Sequence, residues 1–213
     1  MKTDDLIAAL AMDLPIRRTG HLARLLAASS TLGLLAAVVG VVLTLQLRAD
    51  LNDAMGGAVF WAKAGYTIVI SLAAFWLLDR AGRPGASVRV PIILLGLIAL
   101  SAACAAGVEL LTTPENQRAV VLMGRSARVC PLNIAGLGVL AAPALVFAAR
   151  RFAPERPGLA GAALGLLAGA LAATAYGLHC PERTAAFVAV WYSLGMIVPG
   201  VVGAAAGRLV WRW

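Results

Sequence analysis

The groups able to do chemistry in this chain are few, and the three cysteines come first. Cys130 and Cys180 are each followed by proline, and Cys180 is preceded by His179. Two thiols and an imidazole could hold a soft divalent ion of the zinc or cadmium kind, and two thiols alone could form or exchange a disulfide. Three donors from two separate stretches, with no CxxC, make a sparse metal signature. A structural disulfide, a reversible thiol or metal sensor and two unpaired thiols therefore all stay open. Cys104 stands in the middle of an apolar run, where a lone thiol acts as a small hydrophobe. Lys63, in Phe60-Trp61-Ala62-Lys63, and Glu109 are charges inside otherwise apolar runs, positions that are functional by default. Each lies near the end of its run, so snorkelling or a mutual ion pair between Lys63 and Glu109 is the expectation. The sequence contains no HExxH, GxSxG, phosphate-binding loop or dinucleotide fingerprint, so no enzyme is expected. No cofactor is required beyond a possible soft divalent metal at the cysteine pair.

The elements that must position these groups follow from composition. Of 213 residues, 61% are hydrophobic and 13% charged, far from a soluble average of about half and a quarter. Six runs approach the roughly 20 apolar residues that a membrane-spanning helix needs: Leu25 to Leu45, Ala58 to Leu78, Pro91 to Leu111, Pro131 to Ala149, Gly158 to Leu178 and Ala185 to Gly207. They lack the polar alternation of barrel strands, so the fold class is an all-α integral membrane protein, a six-helix transmembrane bundle. The net charge of +8 would suggest nucleic acid in a soluble protein, but the basic residues punctuate the spans. One side receives Lys2, Arg17, Arg18, Arg24, Arg80, Arg83, Arg89, Arg150, Arg151, Arg156, Arg208 and Arg212, and the other Arg48, Lys63, Arg118, Arg125, Arg128 and Arg183. The excess on the first side places both termini in the cytoplasm and Cys130 and Cys180 on the outer face at similar depth, with no direct nucleic-acid partner. The first span exceeds a signal-peptide core and reads as uncleaved. Gly161, Gly165, Gly169, Ala173 and Gly177 recur every four residues in the fifth run, and Gly203 and Gly207 mark the sixth. Such spacing lets two backbones approach in lipid. Pro143 and Pro199 fall inside spans and should kink them.

Residues 1–24 form the segment outside the membrane, ahead of a six-span transmembrane domain over 25–213. Thr3 suits an N-cap, with Asp4 and Asp5 in the first helical turn. Leu6, Ile7, Leu10 and Leu14 fall on one stripe, bordered by Asp13. A short helix needs something to pack on. Three aspartates against Lys2 argue against lipid, which leaves the bundle itself or a basic cytoplasmic protein.

Thr3-Asp4-Asp5-Leu6-Ile7 followed by Leu10-Ala11, Phe60-Trp61-Ala62-Lys63, and His179-Cys180-Pro181-Glu182 followed by Phe187, Trp191-Tyr192 and Leu194-Gly195 together resemble the NrsF-type membrane anti-sigma factors. Gly207-Arg208 to Trp213 is similar to that family's ending, so the resemblance covers essentially the whole chain. It implies a six-span bacterial inner-membrane protein that holds an extracytoplasmic-function sigma factor through its cytoplasmic N-terminal segment. It also implies that two periplasmic cysteines, matching Cys130 and Cys180, take part in sensing redox or heavy-metal stress. Leu6, Ile7, Leu10, Leu14, Asp4, Asp5 and Asp13 would then be the partner-binding residues. The rival expectation is a small permease or ion-handling protein stapled by a periplasmic disulfide.

Overall fold

A computed structural model describes Thr3, Asp5 and residues 20–211. Among these residues there is helix and no strand, and six helices are long and apolar enough to cross a membrane. They are α1 (Gly20–Leu45), α3 (Ala58–Ala81), α4 (Arg89–Thr112), α6 (Cys130–Ala149), α7 (Pro157–Tyr176) and α8 (Ala185–Leu209). Two short helices lie between them, α2 (Leu51–Met55) and α5 (Glu115–Met123). Both fall in connections that hydropathy alone leaves blank. The expected spans agree with the observed helices to within a few residues. The largest difference is at α1, which begins at Gly20 instead of Leu25, because helical backbone continues past the apolar run into His21 and Arg24.

The centre of the bundle is α7, and its composition explains why. Glycine and alanine along most of its length leave room on every side, and α1, α3, α6 and α8 all pack against it. The closest approach is to α8. A side-chain carbon at Gly161 would collide with the Gly203 carbonyl, one at Gly165 with the Pro199 carbonyl, and one at Gly207 with the Pro157 carbonyl. The small-residue spacing read from the sequence is thus the seam between the fifth and sixth spans. Where apolar burial gives little drive, such close backbone contact supplies the dispersion that holds helices together.

The outer surface is apolar, with Leu43 76%, Leu111 79% and Leu132 71% exposed. A water-soluble fold rarely shows so much; a bilayer would cover it. α4 is peripheral and packs on α3 and on the start of α8. Two helices carry a π-helical turn, Val41–Leu45 closing α1 and Val188–Tyr192 early in α8. Both open toward the same end of the bundle, where the cysteines lie. Single π turns inside α-helices are frequent at functional sites because they redirect side chains.

Candidate functional site

Cys130 is the first residue of α6, and Cys180 follows the tight turn that ends α7, where the His179 and Cys180 N–H groups both donate to the Tyr176 carbonyl at 3.0 Å. This geometry brings the two expected sensor thiols together. Both are fully buried free thiols, close enough for Cys130 to act on the titration of Cys180. Their walls are aromatic. Tyr176 and Tyr192 have ring centres 5.8 Å apart, and Phe187 lies 6.5 Å from Tyr192. The π turn in α8 sets Tyr192 so that its buried hydroxyl, which has no oxygen or nitrogen partner among the described residues, lies beside the Cys180 sulfur.

A cationic clasp holds the loop that carries Cys180. Lys63, only 5% exposed, donates from Nζ to the Cys180 carbonyl at 2.9 Å and to the Glu182 carbonyl at 3.1 Å, and its ammonium sits 5.5 Å from the Tyr192 ring centre. Arg48 adds a longer contact from Nη1 to the Cys180 carbonyl at 3.4 Å, and its backbone N–H donates to the Leu178 carbonyl. The Arg48 guanidinium is itself fixed by a bidentate pair with Asp50, at 2.7 Å from Nε and 2.7 Å from Nη2. That fork holds the Asp50 carboxyl down at about 2 and raises the Arg48 guanidinium further. Cys180 is shifted below the ordinary thiol range, first by the hydrogen bond from the Cys130 thiol and then by the Lys63 ammonium, against the opposing effect of burial. Thiolate beside a cation is the reactive form of cysteine.

The same loop is tied to three other parts of the chain. His179 donates from Nδ1 to the Gln46 carbonyl at 2.8 Å, and Gln46, immediately after the π turn of α1, holds a left-handed φ of 64°. Such a conformation is uncommon for a non-glycine residue. Glu182 accepts through Oε1 from the Arg125 N–H at 2.7 Å and from Ser126 Oγ at 3.1 Å. Thr184 donates to the Val121 carbonyl and Trp191 Nε1 to the Leu122 carbonyl, which pins α5 over the start of α8.

Two expectations from the sequence meet a different geometry. Lys63 and Glu109 are not joined by an ion pair. Lys63 takes the two loop carbonyls, and Glu109 accepts the Ala186 N–H at 2.7 Å, capping the start of α8. His179 does not complete a ligand set with the cysteines, since its Nδ1 is turned to Gln46, and no group of three metal-binding side chains occurs among the described residues. The donor set therefore fits a soft ion poorly, because a closed site needs about four ligands. Among the proposed partner-binding residues, Asp5 is helical and exposed. Leu6, Ile7, Leu10, Leu14, Asp4 and Asp13 lie outside the described residues. Cys104 is exposed on α4, far from the thiol pair in sequence and on a different helix. Sequence reasoning missed Arg48, Asp50 and Tyr192. Arg48 had registered only as a loop charge, and the Tyr192 position depends on a π turn that no pattern announced.

Two hollows flank the clasp. A small one of about 100 Å³ reaches Lys63 between Arg48, Asp53, Phe60, Glu182 and Arg183. A larger, mostly apolar cleft of about 340 Å³ separates α3, α4 and α8, with Lys63 and Glu109 on its rim.

Fold and site together define a class: a helical protein with six membrane-capable spans whose buried polar chemistry is a thiol pair positioned by a cation. Residues 10–213 match the family described as negative regulator of sigma F, NrsF. The chain is 44% identical to the anti-sigma-F factor NrsF of Caulobacter vibrioides (strain NA1000 / CB15N), and 37% identical to the probable anti-sigma-F factor NrsF of Azospira oryzae (strain ATCC BAA-33 / DSM 13638 / PS), with all of each chain covered in both cases. This chain belongs to the NrsF family of negative regulators of sigma F. No solved structure matches it.

Proposed function

We propose that the chain is an inner-membrane anti-sigma factor that holds an extracytoplasmic-function sigma factor on its cytoplasmic N-terminal segment and lets go when the Cys130–Cys180 pair changes state. Residues 1–24 are the capture segment and 25–213 the sensor, with both termini inside and the thiols facing the periplasm. Leu6, Ile7, Leu10 and Leu14 supply apolar contact, and Asp4, Asp5 and Asp13 face basic surface on the partner. Membership of the family supports sigma-factor binding. The observation that carries the sensing part is the contact between two buried thiols on a loop clamped by Lys63 and Arg48.

Thiol–disulfide chemistry suits this geometry better than metal ligation. With a small-molecule disulfide as oxidant, the Cys180 thiolate attacks one of its sulfurs and expels a thiolate. Cys130 then gives up its proton and attacks the Cys180 sulfur of the mixed disulfide, forming the Cys130–Cys180 bond and expelling a second small thiolate; the two small thiolates take up the two protons lost by the cysteines. A soft divalent cation such as cadmium would find two sulfurs here but no third ligand from His179. Either change alters the 178–182 loop, and through Gln46 and Arg48 that loop is attached to the end of α1. The opposite end of α1 leads into the capture segment. Release then requires that the altered bundle bind the sigma factor less well, about 1.4 kcal/mol for each tenfold loss.

The test is transcription from a sigma-dependent reporter under a thiol oxidant and under cadmium. Cys130→Ser and Cys180→Ser should each abolish the response to the same degree, because one thiol cannot act without the other. A normal response from either variant would remove the pair from the mechanism.

A further inference from the structure

At the end of the bundle away from the thiols, four arginines from two connections line one cavity of about 240 Å³. Arg80 and Arg83 come from the end of α3 and its turn, Arg89 from the start of α4, and Arg156 from just before α7. The carboxylates nearby are already engaged. Asp79 pairs with Arg83 at 2.5 Å, and Glu155 accepts the Gly85 N–H at 2.8 Å. No ion pair joins Arg80, Arg89 or Arg156 to a carboxylate among the described residues. The cavity is also built rather than incidental. The Ala153 N–H donates to the Gly82 carbonyl at 3.2 Å and Phe152 packs on Gly82, so the α3–α4 turn and the connector before α7 form one unit.

Four arginines lining one cavity, three of them without a carboxylate partner among the described residues, suit an anion that accepts several hydrogen bonds at once, and a phosphate does this. The remaining wall mixes the apolar Ala81, Val88 and Leu159 with Ser87 and the Gly85-bound Glu155, and the site lies where three helices apolar enough to span a membrane begin or end. This is the depth of lipid headgroups, and basic pockets between spans recognise acidic ones. We propose that this cavity binds the phosphate of an anionic phospholipid and that the bound headgroup ties the α3–α4 turn to the start of α7. Arg150 and Arg151 mark the same end of the bundle but lie outside the cavity, exposed, with Arg151 over the Phe147 ring at 5.8 Å. They provide an internal control for charge alone.

The experiment uses the full chain in detergent micelles doped with dioleoyl-phosphatidylglycerol or dioleoyl-phosphatidylcholine, read by native mass spectrometry and by thermal unfolding. The expected result is retention of phosphatidylglycerol over phosphatidylcholine, weakened at least about tenfold in R80Q/R89Q/R156Q and unchanged in R150Q/R151Q. Should the triple variant lose the wild-type midpoint in phosphatidylcholine, R89Q and R156Q singly carry the test, each with about a threefold loss. Equal weakening by R150Q/R151Q would overturn the site in favour of general surface charge. Equal protection by inorganic phosphate in place of lipid would overturn the lipid as its source.

Discussion

Lys63 is a buried ammonium whose hydrogen-bond partners are backbone carbonyls. That choice matters, because carbonyls fix where the loop lies without neutralising the charge beside the thiol. Replacing it by methionine keeps the bulk and removes two charge-assisted bonds, each worth about 1.5–3 kcal/mol. The expected outcome for Lys63→Met is a clear fall in the thermal midpoint of the purified protein. The chemical consequence can be read separately. In a Cys104→Ser background, the ultraviolet absorbance of the thiolate should persist at neutral pH and fade only as acid protonates the lowered Cys180 thiolate. In Lys63→Met the profile should move up toward the ordinary thiol value of about 8.5. An unmoved profile would show that the cation does not poise the thiol. Neither role was visible in the sequence, where Lys63 was expected to meet Glu109. Its actual partners are Cys180 and Glu182, more than a hundred residues away, and tertiary contacts of that range leave no mark on local pattern.

Among the elements, the pair α7 and α8 makes the most specific demand on residue type. At Gly165 an added methyl would be forced into the Pro199 carbonyl, a rigid backbone group, whereas at Gly136 on α6 it would meet nothing. Gly165→Ala should therefore lower the unfolding midpoint, with a cost of about 1–3 kcal/mol or more from overpacking. Gly136→Ala should leave the midpoint unchanged. Equal effects at the two positions would mean that the seam is not tightly packed. This seam was legible beforehand, because small residues every four positions in two neighbouring apolar runs have one main use in lipid. The spans were legible for the same reason: hydropathy records which residues leave water. It does not record where an apolar helix stops being regular, so the π turns that end α1 and aim Tyr192 had no sequence signal. The short helix α5 was missed because its mixed composition marks neither a span nor a turn.

On the scale of the whole molecule, the two ends of the bundle divide the work in the proposed account. One end carries the thiol pair and its clasp, the other an arginine cavity and the exit toward residues 1–19. The orientation is testable with reporter fusions. Alkaline phosphatase fused after Arg125 should be active, since the proposed topology puts that loop outside. The same enzyme fused after Trp213 should be inactive, and a fluorescent protein there should fold and glow. The reverse pattern would place the thiols in a reducing compartment and remove the rationale for a disulfide switch.

The central claim is that the state of one thiol pair sets the grip on a sigma factor at the far end of the bundle. It is tested most directly by capturing the sigma factor from the native host on the full-length protein in lipid nanodiscs, with the thiols first reduced and then oxidised by diamide. The account predicts a change of at least about tenfold in retained sigma factor between the two states of the wild-type protein, or 1.4 kcal/mol. It predicts no change in Cys130→Ser or Cys180→Ser. Equal retention by the wild-type protein in both states, with the disulfide verified by mass spectrometry, would contradict it.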